Sequence, residues 1–195
     1  MKTNDYTTSF TVDQSPDEVF AAINNVRGWW SGKPGVEGST SKLGDEFTYQ
    51  YEPHHVSRQK IIELSPGKKV VWRVVDGCIN FVKDKTEWNG TTISFDIAKK
   101  GKQTEIRFTH AGLNPDIECF DGCSDAWISY IKGALRDLIA GRLARTAGKY
   151  RKAIRERATR LRGLRTQCDQ RNLGCTLYPR AHTRARYDYC TNTVY

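Results

Sequence analysis

An α+β fold, with a curved antiparallel sheet wrapped around a long C-terminal helix, is predicted by three features of the sequence. Residues 47–110 carry a succession of alternating apolar and polar runs separated by turn residues, the pattern of an antiparallel meander with one buried face. A strand-like stretch and a capped helix precede that meander. Trp127, Ile131, Leu135 and Leu138 then fall at spacings of four, four and three, which is one face of a helix. A sheet with one apolar face must be covered, and only the last helix is long enough to do it.

The elements follow in order. Residues 6–12 are β-branched and aromatic and predict the first strand. Ser15-Pro16-Asp17-Glu18 is a capping box with proline at the first helical position, and the helix it starts directs Val19, Phe20 and Ile23 inward until Asn24-Asn25. A short helix or turn holds Val26, Trp29 and Trp30. Residues 31–44, rich in glycine and serine with Pro34, are expected to be a mobile loop. Phe47, Tyr49 and Tyr51 alternate along a strand, and residues 55–64 form the next. Ser65-Pro66-Gly67-Lys68 turns into a strand with Val70, Trp72 and Val74 on one face. Ile93, Phe95 and Ile97 mark another, and Lys100-Gly101-Lys102 turns into a last one carrying Thr104, Ile106, Phe108 and His110 on one face. Asp121 or Ser124 is expected to cap the final helix.

Charge divides the chain. The formal net charge of +9 is uneven: residues 1–150 hold 20 basic and 19 acidic residues, residues 151–195 hold 11 and 3. A nearly neutral body of about 150 residues is one domain with room for a substantial core. No apolar run reaches the roughly 18 residues that span a membrane. The N-terminal residues lack a secretory h-region, so a cytoplasmic location with mostly reduced cysteines is expected. The basic segment would bind nucleic acid through phosphate contacts if it is a genuine part of the protein; an out-of-frame read-through would produce the same abrupt change in composition.

Several stretches carry a family resemblance. They are Ser9-Phe10-Thr11-Val12, Ser15 through Phe20, Trp29-Trp30, Gly44-Asp45-Glu46-Phe47, Lys69-Val70-Val71-Trp72, Thr104 through Leu113, and Trp127 through Leu138. In this order they resemble the helix-grip fold of the START/Bet v 1-like (SRPBCC) superfamily. Within it they resemble single-domain relatives of the C-terminal domain of the activator of Hsp90 ATPase. The resemblance covers about residues 5–140. It implies a domain over residues 1–145 and leaves 146–195 as a basic, irregular or disordered extension. It also implies a cavity between sheet and helix for a small apolar or amphipathic molecule, and favours binding over catalysis. Two other functions belong to such folds: a polyketide cyclase/dehydratase-like enzyme, or an Hsp90 co-chaperone-like interaction module, with a link to stress response. Fold alone does not choose among them.

The pocket candidates are Phe47, Tyr49, Tyr51, Trp72, Val74, Phe95, Ile97, Phe108, His110, Cys123, Trp127 and Ile131, with Tyr49, Tyr51, His110 and Cys123 as the polar members. Core filling is the competing role for the aromatics. His110 has no nucleophile beside it in a motif and is expected to be structural, under the final helix. Glu87 and Asp96 form no acid–base couple. Cys119 and Cys123 with His110 make only a partial metal set, since Cys78 and His54-His55 are remote in sequence, so no metal and no cofactor is expected. Gly32, Gly35 and Gly38 lead into a strand rather than a helix and match no phosphate-binding pattern.

Overall fold

The computed structural model describes residues 4–142 and a two-residue strand pair at Tyr187–Asp188 and Thr193–Val194. The extension expected over 146–195 otherwise lies outside the described residues.

Seven strands form one antiparallel sheet: β1 (Tyr6–Val12), β2 (Pro34–Gly38), β3 (Glu46–Tyr51), β4 (His55–Ser65), β5 (Lys69–Ile79), β6 (Thr92–Lys100) and β7 (Gln103–Ala111). Their order across the sheet is β1-β7-β6-β5-β4-β3-β2, so every neighbouring pair after β1 is a hairpin or near-hairpin. Alternation sets which side chains enter the core. On β7, Thr104, Ile106, Phe108 and His110 are fully buried, while Arg107 between them is exposed. The register of β4 against β5 shifts between Arg58 and Gln59 and again between Ile61 and Glu63. Such irregularities bend and twist the longer strands, which curves the sheet.

Helix α1 (Pro16–Asn24) has the predicted box: the Glu18 backbone N–H donates to the Ser15 hydroxyl and the Ser15 N–H donates to the Glu18 carboxylate. Val19 and Ile23 are buried, and Phe20 packs at their edge. A single 3₁₀ turn (Val26–Gly28) then delivers Trp29 and Trp30 into the core.

Two expectations need correction. The segment 31–44 is not all loop, because β2 pairs with β3 from Pro34 opposite Tyr51 to Gly38 opposite Phe47. Proline and glycine are compatible with an edge strand. The Arg27 guanidinium donates to the Gly38 carbonyl, which fastens this edge to the 3₁₀ turn. The final helix is capped neither by Asp121 nor by Ser124; its N-cap residue is Cys119. The cap is supplied across the chain by Glu87, whose carboxylate accepts from the Glu118 N–H at 2.6 Å and the Cys119 N–H at 2.9 Å. A carboxylate at that end also complements the helix dipole.

The final helix runs in three consecutive stretches: α2 (Phe120–Ile128), a π-helical stretch (Ser129–Leu135) and α3 (Arg136–Ile139). Trp127, Ile131, Leu135 and Ile139 are buried, and Leu138 is only partly so. Steps of four residues overshoot a regular α-helix by roughly 40° each. The wider π turns take up that drift, which keeps the stripe on the sheet and brings Ile139 inward in place of Leu138.

All five tryptophans join one aromatic core. Trp72 stacks near-parallel to Trp29 and Trp30, at centroid distances of 6.2 and 6.1 Å, and Phe95 packs edge-on against Trp72 and Phe108. No helix among the described residues is long and apolar enough to cross a membrane.

Candidate functional site

The inner face of the sheet is filled at one end and hollow at the other. The filled end holds Phe47, Trp72, Val74, Phe95, Phe108 and Ile131, all essentially inaccessible, with Ile97 at its margin. The hollow end is a half-open cavity of about 460 Å³. Its walls come from β3 (Tyr49, Tyr51), the β3–β4 turn and the start of β4 (His54, His55), and the β5–β6 loop (Phe81, Trp88). The final helix closes it with Gly122, Cys123, Ala126, Trp127, Ser129 and Tyr130, and Trp30 lines it as well.

Of the twelve residues singled out from sequence, the structure therefore brings Tyr49, Tyr51, Cys123 and Trp127 to the cavity. It places Phe47, Trp72, Val74, Phe95, Ile97, Phe108, His110 and Ile131 in the packed core beside it. Strand alternation tells inside from outside, but not which part of the inside is filled. The residues that sequence reasoning missed had one usable signal on the helix. Cys123, Ala126, Trp127 and Tyr130 recur at i, i+3, i+4 and i+7, a second stripe flanking the buried one.

Aromatic rings dominate the lining. Trp30 stacks on Tyr49 with centroids 4.1 Å apart, and Trp88 lies parallel to Trp127 at 5.8 Å. The Tyr130 hydroxyl donates to the Ser31 carbonyl at 2.8 Å and meets the Tyr49 hydroxyl at 2.9 Å. Burial, then the Tyr130 hydrogen bond, raises the Tyr49 pKa well above that of a free phenol. Phe81 and Tyr51 stand about half exposed. The Phe81 ring leans over Gly122, where an added methyl would meet it at 3.5 Å.

His110 lies behind this lining as a fully satisfied structural residue. Its Nδ1 accepts from the Trp127 indole N–H at 3.1 Å. Its Nε2 lies 2.9 Å from the Thr91 hydroxyl, which itself donates to the Trp88 carbonyl at 2.6 Å. The hydroxyl hydrogen being spent, Nε2 carries the proton, and the ring is the neutral tautomer. Burial pushes its pKa down to about 3, with the nearby His55 adding to the effect.

His55 differs. It shares the concave face of β4 with Ser57 and Gln59. Its ring packs edge-to-face against Tyr49 at 5.3 Å and Trp88 at 4.4 Å. Desolvation also holds its pKa near 3. Its Nε2 is buried without a hydrogen-bond partner.

Cys119 and Cys123 are free thiols at the start of α2. The hydrogen bond with Cys123, then burial, raises the Cys119 pKa, so this thiol is protonated and poorly nucleophilic. Cys78, by contrast, is disulfide-bonded. Among the described residues no three His, Cys, Asp or Glu side chains gather as a metal site requires.

The family model described as activator of Hsp90 ATPase homolog 1-like protein matches residues 13–140. The chain belongs to this family. It is thus a relative within the SRPBCC superfamily, and its sheet and final helix are the helix-grip fold. The family is associated with Hsp90 or with small-ligand binding.

Solved structures agree on the fold. The Aha1 dimer from Colwellia psychrerythraea is similar with a TM-score of 0.56 at 21% identity, over 69% of this chain and 95% of that one. Protein CV1439 from Chromobacterium violaceum gives 0.52 at 14% identity, over 70% and 97%. DynU16, from the dynemicin biosynthetic locus, gives 0.53 at 11% identity, over 71% and 48%. No curated protein matches.

Proposed function

We propose that this activator of Hsp90 ATPase homolog 1-like protein binds a small apolar or amphipathic molecule in the cavity between the sheet and the final helix, without transforming it. The observation that carries the reading is the lining itself. Seven of the thirteen wall residues are Trp, Tyr or Phe, and the volume of about 460 Å³ falls in the range that takes small-molecule ligands. A mostly apolar wall supplies affinity by desolvation, and a few polar groups orient the guest.

Acid–base catalysis is poorly served by the same residues. His110 has both ring nitrogens engaged, and burial keeps His55 neutral near pH 7. A cyclase-type enzyme would need converging groups able to gain and lose protons near that pH. A cyclase-type reaction is the second reading, and His55, whose Nε2 has no hydrogen-bond partner, is the group on which it would rest.

Binding of the neutral fluorophore N-phenyl-1-naphthylamine to the purified chain tests the proposal. Ala126 is exposed on the helix and lines the cavity, so Ala126→Trp should fill the space while leaving the fold intact. Saturable fluorescence enhancement that disappears in this variant is expected. Enhancement unchanged by Ala126→Trp would remove the cavity as the binding site.

A further inference from the structure

We propose that the cavity selects an uncharged, ring-bearing guest carrying a hydroxyl group, and that His55 is the residue that reads that hydroxyl. The inference rests on the cavity being a binding site and adds the chemistry of what it takes.

Charge is the first argument. None of the thirteen wall residues is Asp, Glu, Lys or Arg. Of the two histidines among them, the His55 ring is held neutral by desolvation, and His54 is exposed at the rim rather than inside the cavity. An anionic guest entering this space would lose hydration with no counter-charge to replace it, and a cationic one would exchange its hydration for the attraction of ring faces alone.

The wall's polar groups give the second argument. Nearly all are spent on the protein. The Tyr130 and Tyr49 hydroxyls serve each other and the Ser31 carbonyl. The Ser129 hydroxyl donates to the Asp125 carbonyl at 3.2 Å, the Trp127 indole serves His110, and Cys123 is paired with Cys119. His55 is the exception inside the rim. Among the described residues no hydrogen bond engages its ring, although Tyr49 and Trp88 hold the ring in place from two sides.

A neutral imidazole has one donor and one acceptor nitrogen. A hydroxyl donates one hydrogen bond and accepts others, so it suits His55 in either tautomer. A carbonyl or ether meets only the donor. Flat aromatic rings suit the remaining wall, where Trp30, Trp88 and Trp127 offer stacking surfaces.

Four probes of one ring system test the proposal on the full chain by tryptophan quenching and calorimetry at pH 7. They are naphthalene, 2-naphthol, 2-naphthoate and trimethyl(2-naphthyl)ammonium. The expected result is 2-naphthol binding about five- to tenfold tighter than naphthalene, as one well-placed hydrogen bond allows, and both ions binding more weakly than naphthalene. In His55→Phe the advantage of 2-naphthol should vanish while naphthalene still binds; in His55→Gln, which keeps a donor and an acceptor, part of it should return. Near-UV circular dichroism establishes that each variant is folded. If naphthalene binds but 2-naphthol is no tighter, if the advantage survives in His55→Phe, or if an ion binds as well as naphthalene, the proposal is overturned and the cavity reading stands. If none of the four binds, both fall.

Discussion

His55 and His110 pack edge-to-face on the same indole, that of Trp88, at centroid distances of 4.4 and 4.6 Å, and burial drives both pKa values to about 3. Their surroundings then diverge. His110 belongs to a dry region where Thr91, the Trp88 carbonyl and the Trp127 indole meet every polar need. His55 borders a hollow region where the rings are as dense but the polar accounting stays open. A neutral histidine can therefore be a structural fixture or a recognition element, and burial alone does not tell which. The difference lies in whether the ring nitrogens are already engaged.

Truncating the residue shared by the two sides should cost the most. Trp127 contacts Trp30, Trp88, Phe108 and His110, so Trp127→Ala should destabilise by about 3–5 kcal/mol in denaturant melts. A near-neutral result would mean that the two regions are not held together by this residue.

The closed side should also carry a pH dependence. The folded pKa of His110 is depressed below its unfolded value near 6.5. The unfolded chain thus takes up the proton first. Its contribution to stability is complete above about pH 6.5 and is lost as pH falls from there toward about 3, at roughly 1.4 kcal/mol per pH unit. Melts at pH 7 and 5 should differ by about 2 kcal/mol from this residue, and His110→Gln should flatten that slope. An unchanged slope would assign the acid sensitivity elsewhere, with His55 the next group to test, since its pKa shifts the same way.

Smaller effects are expected around the cavity. Glu87→Ala removes the carboxylate that caps the final helix and should cost about 1–2 kcal/mol. Tyr130→Phe loses one hydroxyl bonded to Ser31 and Tyr49 and should cost about 0.5–1.5 kcal/mol. Phe81→Ser changes an exposed rim residue and should shift stability by less than about 0.5 kcal/mol. It should nevertheless weaken binding of N-phenyl-1-naphthylamine. Equal stability losses at Phe81 and Trp127 would erase the distinction between rim and core.

The sequence was legible where local patterns are sufficient. Alternation at Phe47 and Tyr49 and at Thr104 to His110 marked strands whose inward residues are buried as expected, although Tyr51 at the strand end is half exposed, and Ser15 with Glu18 marked the start of α1. It was less legible where the determining partner is distant. Strand β2 depends on pairing with β3, which the glycine-rich segment 34–38 does not advertise. Glu87 caps a helix more than thirty residues away in the chain. The cavity depends on which inward positions meet a filling neighbour, and that is settled only when the final helix crosses the sheet. Tyr49 and Trp127 could be named from sequence, whereas Trp88 and His55 could not, because nothing local separates a wall from a core.

The π-helical stretch at Ser129–Leu135 has a consequence for length. Each π turn holds one more residue than an α turn between the same end points. The final helix thus contains a surplus position, and Gly133, whose missing side chain would project into open space, is the natural place to remove it. Deleting Gly133 should convert the stretch to regular α-helix and still leave Ile139 facing the sheet, because it would then follow Trp127 by eleven residues, close to three whole α turns. The helix thus tolerates a shorter chain at this point, and the register of its buried stripe depends on matching the winding to the residue count.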